Sequence, residues 1–373
     1  MECVKDMINR LCPKGVKRVK LADCLEYEQP TKYQVSSKDY IDKGTPVLTA
    51  GQTFILGYTD ETNGIYRASK EKPVIIFDDF TTSFHWVDFD FKVKSSAMKM
   101  LTPCNEEANF RFVYYAMKCI KYETLEHSRQ WISTYSQFEI PLPPLEIQNR
   151  IVEVLDKMTT LTAELEAELE ARKQQYEYYR NKLLSFNEIG GGIRQVTWKK
   201  ISEIGIVMRG KRLTKKMLSE ENKYPVYHGG LSPIGKYSMK NRDANTVMII
   251  NVGASAGTVG FCNEDFWSSD GCFCLNLDNS IMPKYAYHAL AIKQHHIQSR
   301  VRKAGIPTLD SSAVEDIDIP VPSMEEQERI VSILDRFEAL TTDLQNGLPA
   351  EIEARHQQYE YYRNKLLTFD KVA

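Results

Sequence analysis

The sequence predicts an α+β protein: two mixed α/β domains, each followed by a long helix, the two helices pairing as an antiparallel coiled coil with pseudo-two-fold symmetry. Three observations carry this. The stretch "EARKQQYEYYRNKLLSF" at 170–186 returns at 353–369 as "EARHQQYEYYRNKLLTF", changed only at Lys173/His356 and Ser185/Thr368. The stretch "IPLPPLEIQNRIVEVLD" (140–156) returns as "IPVPSMEEQERIVSILD" (319–335), identical at 10 of 17 positions. Upstream of these blocks the halves match only faintly, as in "TPVLTAG" (45–51) against "YPVYHGG" (224–230) and "EKPVIIFDD" (71–79) against "ANTVMIINV" (244–252). A period of this length is a duplicated domain pair rather than a solenoid.

The expected order is a first variable domain at 1–140, a first repeated helix at 141–187, a Gly-rich linker at 188–192, a second variable domain at 193–320 and a second repeated helix at 321–373. In the first domain "KPVIIFDDF" reads as a buried strand and "NFRFVYYAMKCIKYETLEH" as an amphipathic helix. His85 and Trp86 read as sheet packing. Pro141, Pro143 and Pro144 end a strand-like run and place a helix start near Leu145. From there to Phe186 the helix would reach about 60 Å. Its apolar seam is Ile151, Val154, Met158, Leu161, Leu165, Leu169, Tyr176, Tyr179, Leu183 and Phe186, mostly in steps of three and four. The succession Leu161, Leu165, Leu169 is a stutter that relaxes a supercoil.

"NEIGGGIRQ" (187–195) reads as a hinge or turn. In the second domain "NTVMIINV" reads as a buried strand and "PKYAYHALAIKQHHIQSRV" as a helix. The second long helix repeats the seam with Ile330, Ile333, Phe337, Leu340, Leu344 and Leu348. Gly347 and Pro349 then predict a break, after which Ile352, Tyr359, Tyr362, Leu366 and Phe369 resume it. A lone helix would expose such a seam, so each copy is expected to pair with the other.

Composition bounds the function. At 373 residues with 42% apolar and 26% charged side chains, the chain can bury more than one core. No run of 18 apolar residues occurs, so no membrane partner or span is expected. The start lacks an apolar segment and a small-residue cleavage site, so no signal peptide is expected. The eight cysteines are scattered without a Cys-x-x-Cys, and Cys272-x-Cys274 has no second ligand pair. Reduced thiols in a cytoplasmic protein, with no metal, are the expectation.

Charge is uneven. Residues 1–138 carry a net +1, 139–192 a net −4, 193–317 a net +6 and 318–373 a net −5. A polyanion would be drawn to the variable domains and repelled by the helices. The second domain clusters its basic groups: Arg209, Lys211, Arg212, Lys215 and Lys216 in "RGKRLTKK", Lys236, Lys240 and Arg242 in "KYSMKNR", and Arg300, Arg302 and Lys303 in "SRVRKAG". In the first domain the candidates are Lys32 and Lys38, then Arg67, Lys70 and Lys72, then Arg129, Gln130 and Trp131. Basic groups interleaved with Gly and aromatics point to nucleic acid.

No catalytic motif is complete. "GIVMRGKR" places Gly205, Gly210 and Lys211 like a phosphate loop, but Arg212 stands where Ser or Thr is required. A basic Gly-containing loop is the simpler reading. On the helices, Glu177, Tyr178, Arg180 and Asn181 recur as Glu360, Tyr361, Arg363 and Asn364. They cannot all lie on one seam, so they are expected to form a surface that meets the same partner twice.

This layout resembles the specificity subunit of type I restriction-modification systems. The local match is the Pro-x-Pro run followed by Glu-x-Gln-x-Arg-Ile-Val in both halves, with "GIPTLDSSAVEDIDIPVP" (305–322) as the approach to the second helix. The first half departs there, with "RQWISTYSQFEIPLP". The resemblance implies two target-recognition domains, each reading one half of a bipartite, asymmetric site in double-stranded DNA. It implies an antiparallel coil that sets the spacer. It implies docking of two modification (methyltransferase) subunits, using S-adenosylmethionine, and of restriction (ATP-dependent endonuclease) subunits, using ATP and Mg. The chain would bind no cofactor and catalyse nothing itself. The competing expectation is a coiled-coil scaffold with two protein-binding domains and no DNA role.

Overall fold

The computed structural model describes residues 3–51, 53–124, 128–186, 196–342 and 347–369. The expected linker at 188–192 lies outside them. The chain divides into two compact units, Met1–Glu164 with Ile352–Ala373, and Leu165–Glu351. The units therefore do not follow consecutive domain boundaries, because each draws in part of both long helical segments. Helices among the described residues are α1 (Val4–Leu11), α2 (Phe110–Met117), α3 (Leu145–Leu184), α4 (Ile201–Ile204), α5 (Pro283–Ile292), α6 (Gln294–Ser299), α7 (Ser311–Glu315), α8 (Met324–Thr342) and α9 (Leu348–Leu366). None is long and apolar enough to cross a membrane.

Helix α3 starts at Leu145, where the proline run places it, and continues unbroken for 40 residues. The second copy is interrupted: α8 ends at Thr342 and α9 starts at Leu348, with Pro349 in its first turn, where a missing N–H is harmless. The amphipathic helices are shorter than their sequence patterns suggest. Helix α2 spans eight residues and stops at Met117. The second pattern splits at Lys293 into α5 and α6.

The units carry matching sheets. Unit one has a four-stranded antiparallel sheet in the order Leu25–Glu28, Met98–Pro103, Val74–Asp78, Phe84–Val87. Unit two repeats it as Gly205–Arg209, Cys272–Leu277, Thr246–Ile250, Val259–Cys262. A three-stranded sheet follows in each. Thr45–Leu48 pairs with Ile55–Thr59 and, in parallel, with Lys92–Val93. Tyr224–Tyr227 pairs with Lys236–Tyr237 and, in parallel, with Trp267–Ser268. The faint matches at 45–51 and 71–79 fall on equivalent strands. The strand of four buried apolar residues Val74–Phe77 shows why the sequence there is continuously apolar rather than alternating: both its faces are covered.

The long helices close both cores. Leu367 is buried in the core of unit one, with Tyr359, Leu366 and Phe369 packed on it. Leu184 is buried in the core of unit two, with Tyr176, Leu183 and Phe186 packed on it. The early half of α3 therefore shares a unit with α9 and its late half with α8, which is the reversed order of an antiparallel pair. Along the seam Ile151 and Ile330 are fully buried, but Leu161 is 52% exposed and Leu340 37% exposed. The seam opens at the stutter. Leu344 lies outside the described residues.

The Glu-x-Gln motif has a physical account. Gln148 is fully buried at the start of α3. Its Oε1 accepts the backbone N–H of Asn109, and its Nε2 donates to the carbonyls of Glu107 and Pro143. Gln327, also fully buried, accepts from the N–H of Met282 and donates to the carbonyls of Ser280 and Pro322. Each glutamine thus satisfies backbone groups at the entry to α2 or α5 and locks it to the long helix. An aliphatic replacement would leave these groups unpaired at about 1–3 kcal/mol.

Candidate nucleic-acid interface and docking faces

In unit two the basic turn after Gly205–Arg209 is held by its backbone. The N–H of Lys211 donates to the carbonyl of Ser268 at 2.9 Å, and Trp267 Nε1 donates to the carbonyl of Lys211 at 2.8 Å. A Cβ at Gly210 would stand 2.2 Å from the carbonyl oxygens of Ser268 and Ser269, so only glycine allows this approach. Arg209 Nε donates to the carbonyl of Asp270. The side chains of Lys211 and Arg212 remain exposed on this fixed turn.

Lys215 and Lys216, on the short turn Lys215–Met217, are exposed, as are Lys236 and Lys303. Among the described residues no ion pair neutralises Lys211, Arg212, Lys215, Lys216, Lys236 or Lys303. Other candidates are spent on neighbours. Lys240 pairs with Asp243 and Asp265, which raise its pKa, and Arg302 pairs with Asp310. Arg300 donates to the carbonyl of Ala313. Arg242 is not the exposed contact that its sequence cluster suggests: it is half-buried and donates to the carbonyls of Asn241 and Arg209.

Unit one is less basic at its surface. Lys32 pairs with Glu28, and Arg67 pairs with Asp90. Lys38 and Lys70 are exposed and carry no ion pair among the described residues. Arg129 is exposed, with Nη1 3.8 Å from buried Asp79. Gln130 is corrected from a DNA contact to a structural residue: it is 4% exposed, accepts from Tyr122 Oη and donates to Ser128. Trp131 is buried too, its N–H held by Asp79 Oδ1. Sequence could not reveal this, because Asp79 and Tyr122 are brought to the segment only by folding.

The repeated helix surface is duplicated in detail. Tyr178 packs edge-on to Tyr179 at 5.3 Å, and Tyr361 to Tyr362 at 5.3 Å. Lys182 reaches Tyr178 Oη at 3.4 Å, and Lys365 reaches Tyr361 Oη at 3.3 Å. Tyr178 and Tyr361 are both 58% exposed. Glu177, Asn181, Glu360 and Asn364 are exposed beside them. Arg180 and Arg363 differ from expectation. Both are half-buried, with their guanidinium groups over Tyr176 and Tyr359 at 5.2 and 5.6 Å, and so belong to the packed side of the helix.

Behind these tyrosines lies a polar clamp absent from the sequence reading. In unit two His288, fully buried, places Nδ1 3.3 Å from Tyr176 Oη and Nε2 3.1 Å from Asp335 Oδ1. Burial pushes the Asp335 carboxyl up, but the His288 hydrogen bond and the Lys284 charge outweigh it and hold it below the usual range. Glu338 joins the cluster, and ligand atoms of His288, Asp335 and Glu338 lie within 4.8 Å of one another. The Lys284 ammonium already stands 2.7 Å from Glu338 and 3.7 Å from Asp335, so a side-chain cation occupies the place beside both carboxylates. Unit one builds the clamp from Arg111 and Tyr115 on α2, both bonded to Asp156, with Tyr359 packed on Tyr115. Asp156 and Asp335 close the two repeated motifs, which is the signal that could have marked them.

Comparison with known proteins gives one family. A model of the type I restriction modification DNA specificity domain matches residues 13–172 and again 194–354. The type I restriction enzyme EcoR124I/EcoR124II specificity subunit of Escherichia coli is 42% identical, over 95% of this chain and 95% of that protein. The type I restriction enzyme MpnII specificity subunit of Mycoplasma pneumoniae is 34% identical, over 53% of this chain and 62% of its own. A crystal structure of a type I restriction-modification system S subunit from M. genitalium covers 94% of this chain and 96% of its own with a TM-score of 0.68 at 20% identity, a likeness of fold.

Proposed function

We propose, proceeding from the fact that this chain belongs to the type I restriction-modification DNA specificity family, that it reads a bipartite, asymmetric site in double-stranded DNA for a restriction-modification complex. One reading domain lies in each unit. The observation that carries the reading is the basic turn Arg209–Arg212, whose backbone is pinned while Lys211 and Arg212 project. A fixed backbone with free cationic ends suits duplex DNA, where phosphate contacts set position and side chains reach base edges. The acidic helices deny the polyanion a second track.

The chain itself catalyses nothing. Two modification (methyltransferase) subunits dock on the matching faces at Tyr178 and Tyr361, and restriction (endonuclease) subunits join them. S-adenosylmethionine, ATP and Mg belong to those partners. The unbroken α3 serves as the spacer element between half-sites. The complex works in the cytoplasm.

Salt dependence tests the reading. The chain with its modification subunit should bind duplex DNA with a log K that falls linearly and steeply with log salt, as phosphate contacts release counterions. Binding that is flat with salt, or absent with a stable complex formed, would favour a protein scaffold.

A further inference from the structure

The turn that carries Lys211 and Arg212 is held by the backbone of Arg209, Gly210 and Lys211, and one side chain holds its start. Arg242 Nη2 donates to the carbonyl of Arg209 at 3.1 Å, and Nη1 donates to the carbonyl of Asn241 at 2.6 Å. Asn241 is itself locked to the next strand: its Nδ2 donates to the carbonyl of Ser268 at 2.9 Å, and its Oδ1 accepts the N–H of Ser268 at 2.7 Å. The N–H and carbonyl of Arg242 pair with Phe266. Ser268 in turn accepts from Lys211, and Trp267 donates to it. The strand Trp267–Ser268 and the guanidinium of Arg242 thus enclose the turn on two sides.

Unit one has another chemistry at the equivalent place. The backbone bridge Arg242–Phe266 corresponds to Tyr66–Phe91. There Tyr66 packs its ring against Tyr33 at 4.8 Å, in the segment Pro30–Tyr33 that follows the matching edge strand. Both units therefore use the residue at this bridge to hold the segment leaving the edge strand.

We propose that Arg242 is a positioning residue for DNA recognition by unit two: its planar fork fixes the Arg209–Arg212 turn on the strand Trp267–Ser268 and does not itself touch DNA. The inference rests on the DNA-reading function proposed above. The fork matters because it serves two carbonyls in one plane, which a lysine cannot do. The environment supports an inward charge. The fully buried Cys274 thiol is held below its ordinary range by the neighbouring Cys272, against burial, with Ser268 and Arg242 adding to the fall.

The test uses the chain bound to its modification subunit, with DNA carrying the methylated site as mapped in cells and DNA scrambled in either half. Arg242→Met and Arg242→Lys should each lower affinity for the intact site on the order of tenfold. Affinity for scrambled DNA and the slope of log K on log salt should hold. Arg212→Ala should instead reduce that slope by about one, as loss of a phosphate contact does. Trp267→Phe, which removes the bond to Lys211 and trims a ring that packs on Tyr237, should repeat the Arg242 result. It guards against misfolding as the cause, as do unchanged urea midpoints. Rescue by lysine, or a reduced slope in Arg242→Met, would make Arg242 a direct phosphate contact and overturn the proposal. Wild-type protein that ignores scrambling would overturn the reading function as well, a separable outcome.

Discussion

The side-chain carbonyl of Gln148 accepts the backbone N–H of Asn109 at 2.8 Å, although 39 residues separate them. The same bond joins Gln327 to Met282 at 2.8 Å. Gln148→Leu and Gln327→Leu are each expected to lower stability by about 1–3 kcal/mol, since they strand three backbone groups in a buried site. Urea midpoints measure this. A change below about 0.5 kcal/mol in both would mean that the glutamines do not key the helices to the sheets.

Lys211→Ala and Arg212→Ala should each weaken DNA binding and flatten its salt dependence by about one phosphate contact, with the fold unchanged. Gln130→Ala should differ. It removes a buried side chain that ties Tyr122 to Ser128, so its effect should appear in thermal stability of unit one. A salt slope altered by Gln130→Ala with no change in stability would contradict its structural assignment.

Tyr178→Ala and Tyr361→Ala should each reduce the modification subunits bound from two to one, and the double variant to none. An exposed tyrosine at the centre of a contact is typically worth about 2 kcal/mol or more. Native mass spectrometry counts the copies. Full assembly in the double variant would remove this face from the docking surface.

The units also differ where α3 meets the second long helical segment. In unit two Phe337 stacks on Tyr179 at 5.5 Å. In unit one the equivalent residue is Met158, and a groove of about 190 Å³ remains among Val154, Met158, Leu161, Arg355, Gln358 and Tyr362. Met158→Phe should fill it and stabilise the chain by roughly 1 kcal/mol. A lower melting temperature would show that the groove cannot accept a ring.

The polar clamp gives a pH dependence. The Asp335 carboxyl is held below its ordinary value, after burial is outweighed by His288 and Lys284. A depressed acid adds stability above its unfolded pKa of about 3.9 and loses it as pH falls through the lower folded value. Unfolding midpoints of wild type should therefore drop in the window below about pH 4, and Asp335→Asn should have a shallower acid limb. Equal limbs would mean that Asp335 titrates without its partners.

Much of this was legible in the chain. The two repeated blocks gave the helices, the break at Gly347 and Pro349, and the start at Leu145, because such signals act over a few neighbouring residues. The faint match of 71–79 with 244–252 fell on equivalent strands for the same reason. The sites were less legible. Arg242 and Gln130 sit in polar runs that look exposed, yet the Arg209 carbonyl and Tyr122 turn them inward. Arg180 repeats with its neighbours on the surface, but its guanidinium is drawn to Tyr176, one turn away. Whether a charged side chain is free depends on the partners that folding brings to it, near in sequence for Arg180 and 33 residues away for Arg242.

The most direct measurement is single-molecule sequencing of DNA from cells that co-express this chain with its modification subunit, mapping methylated adenines. One bipartite motif with a fixed unspecified gap is expected, with a change confined to one half when residues 196–320 are exchanged for those of another family member. A continuous motif, or methylation that ignores the exchange, would contradict it.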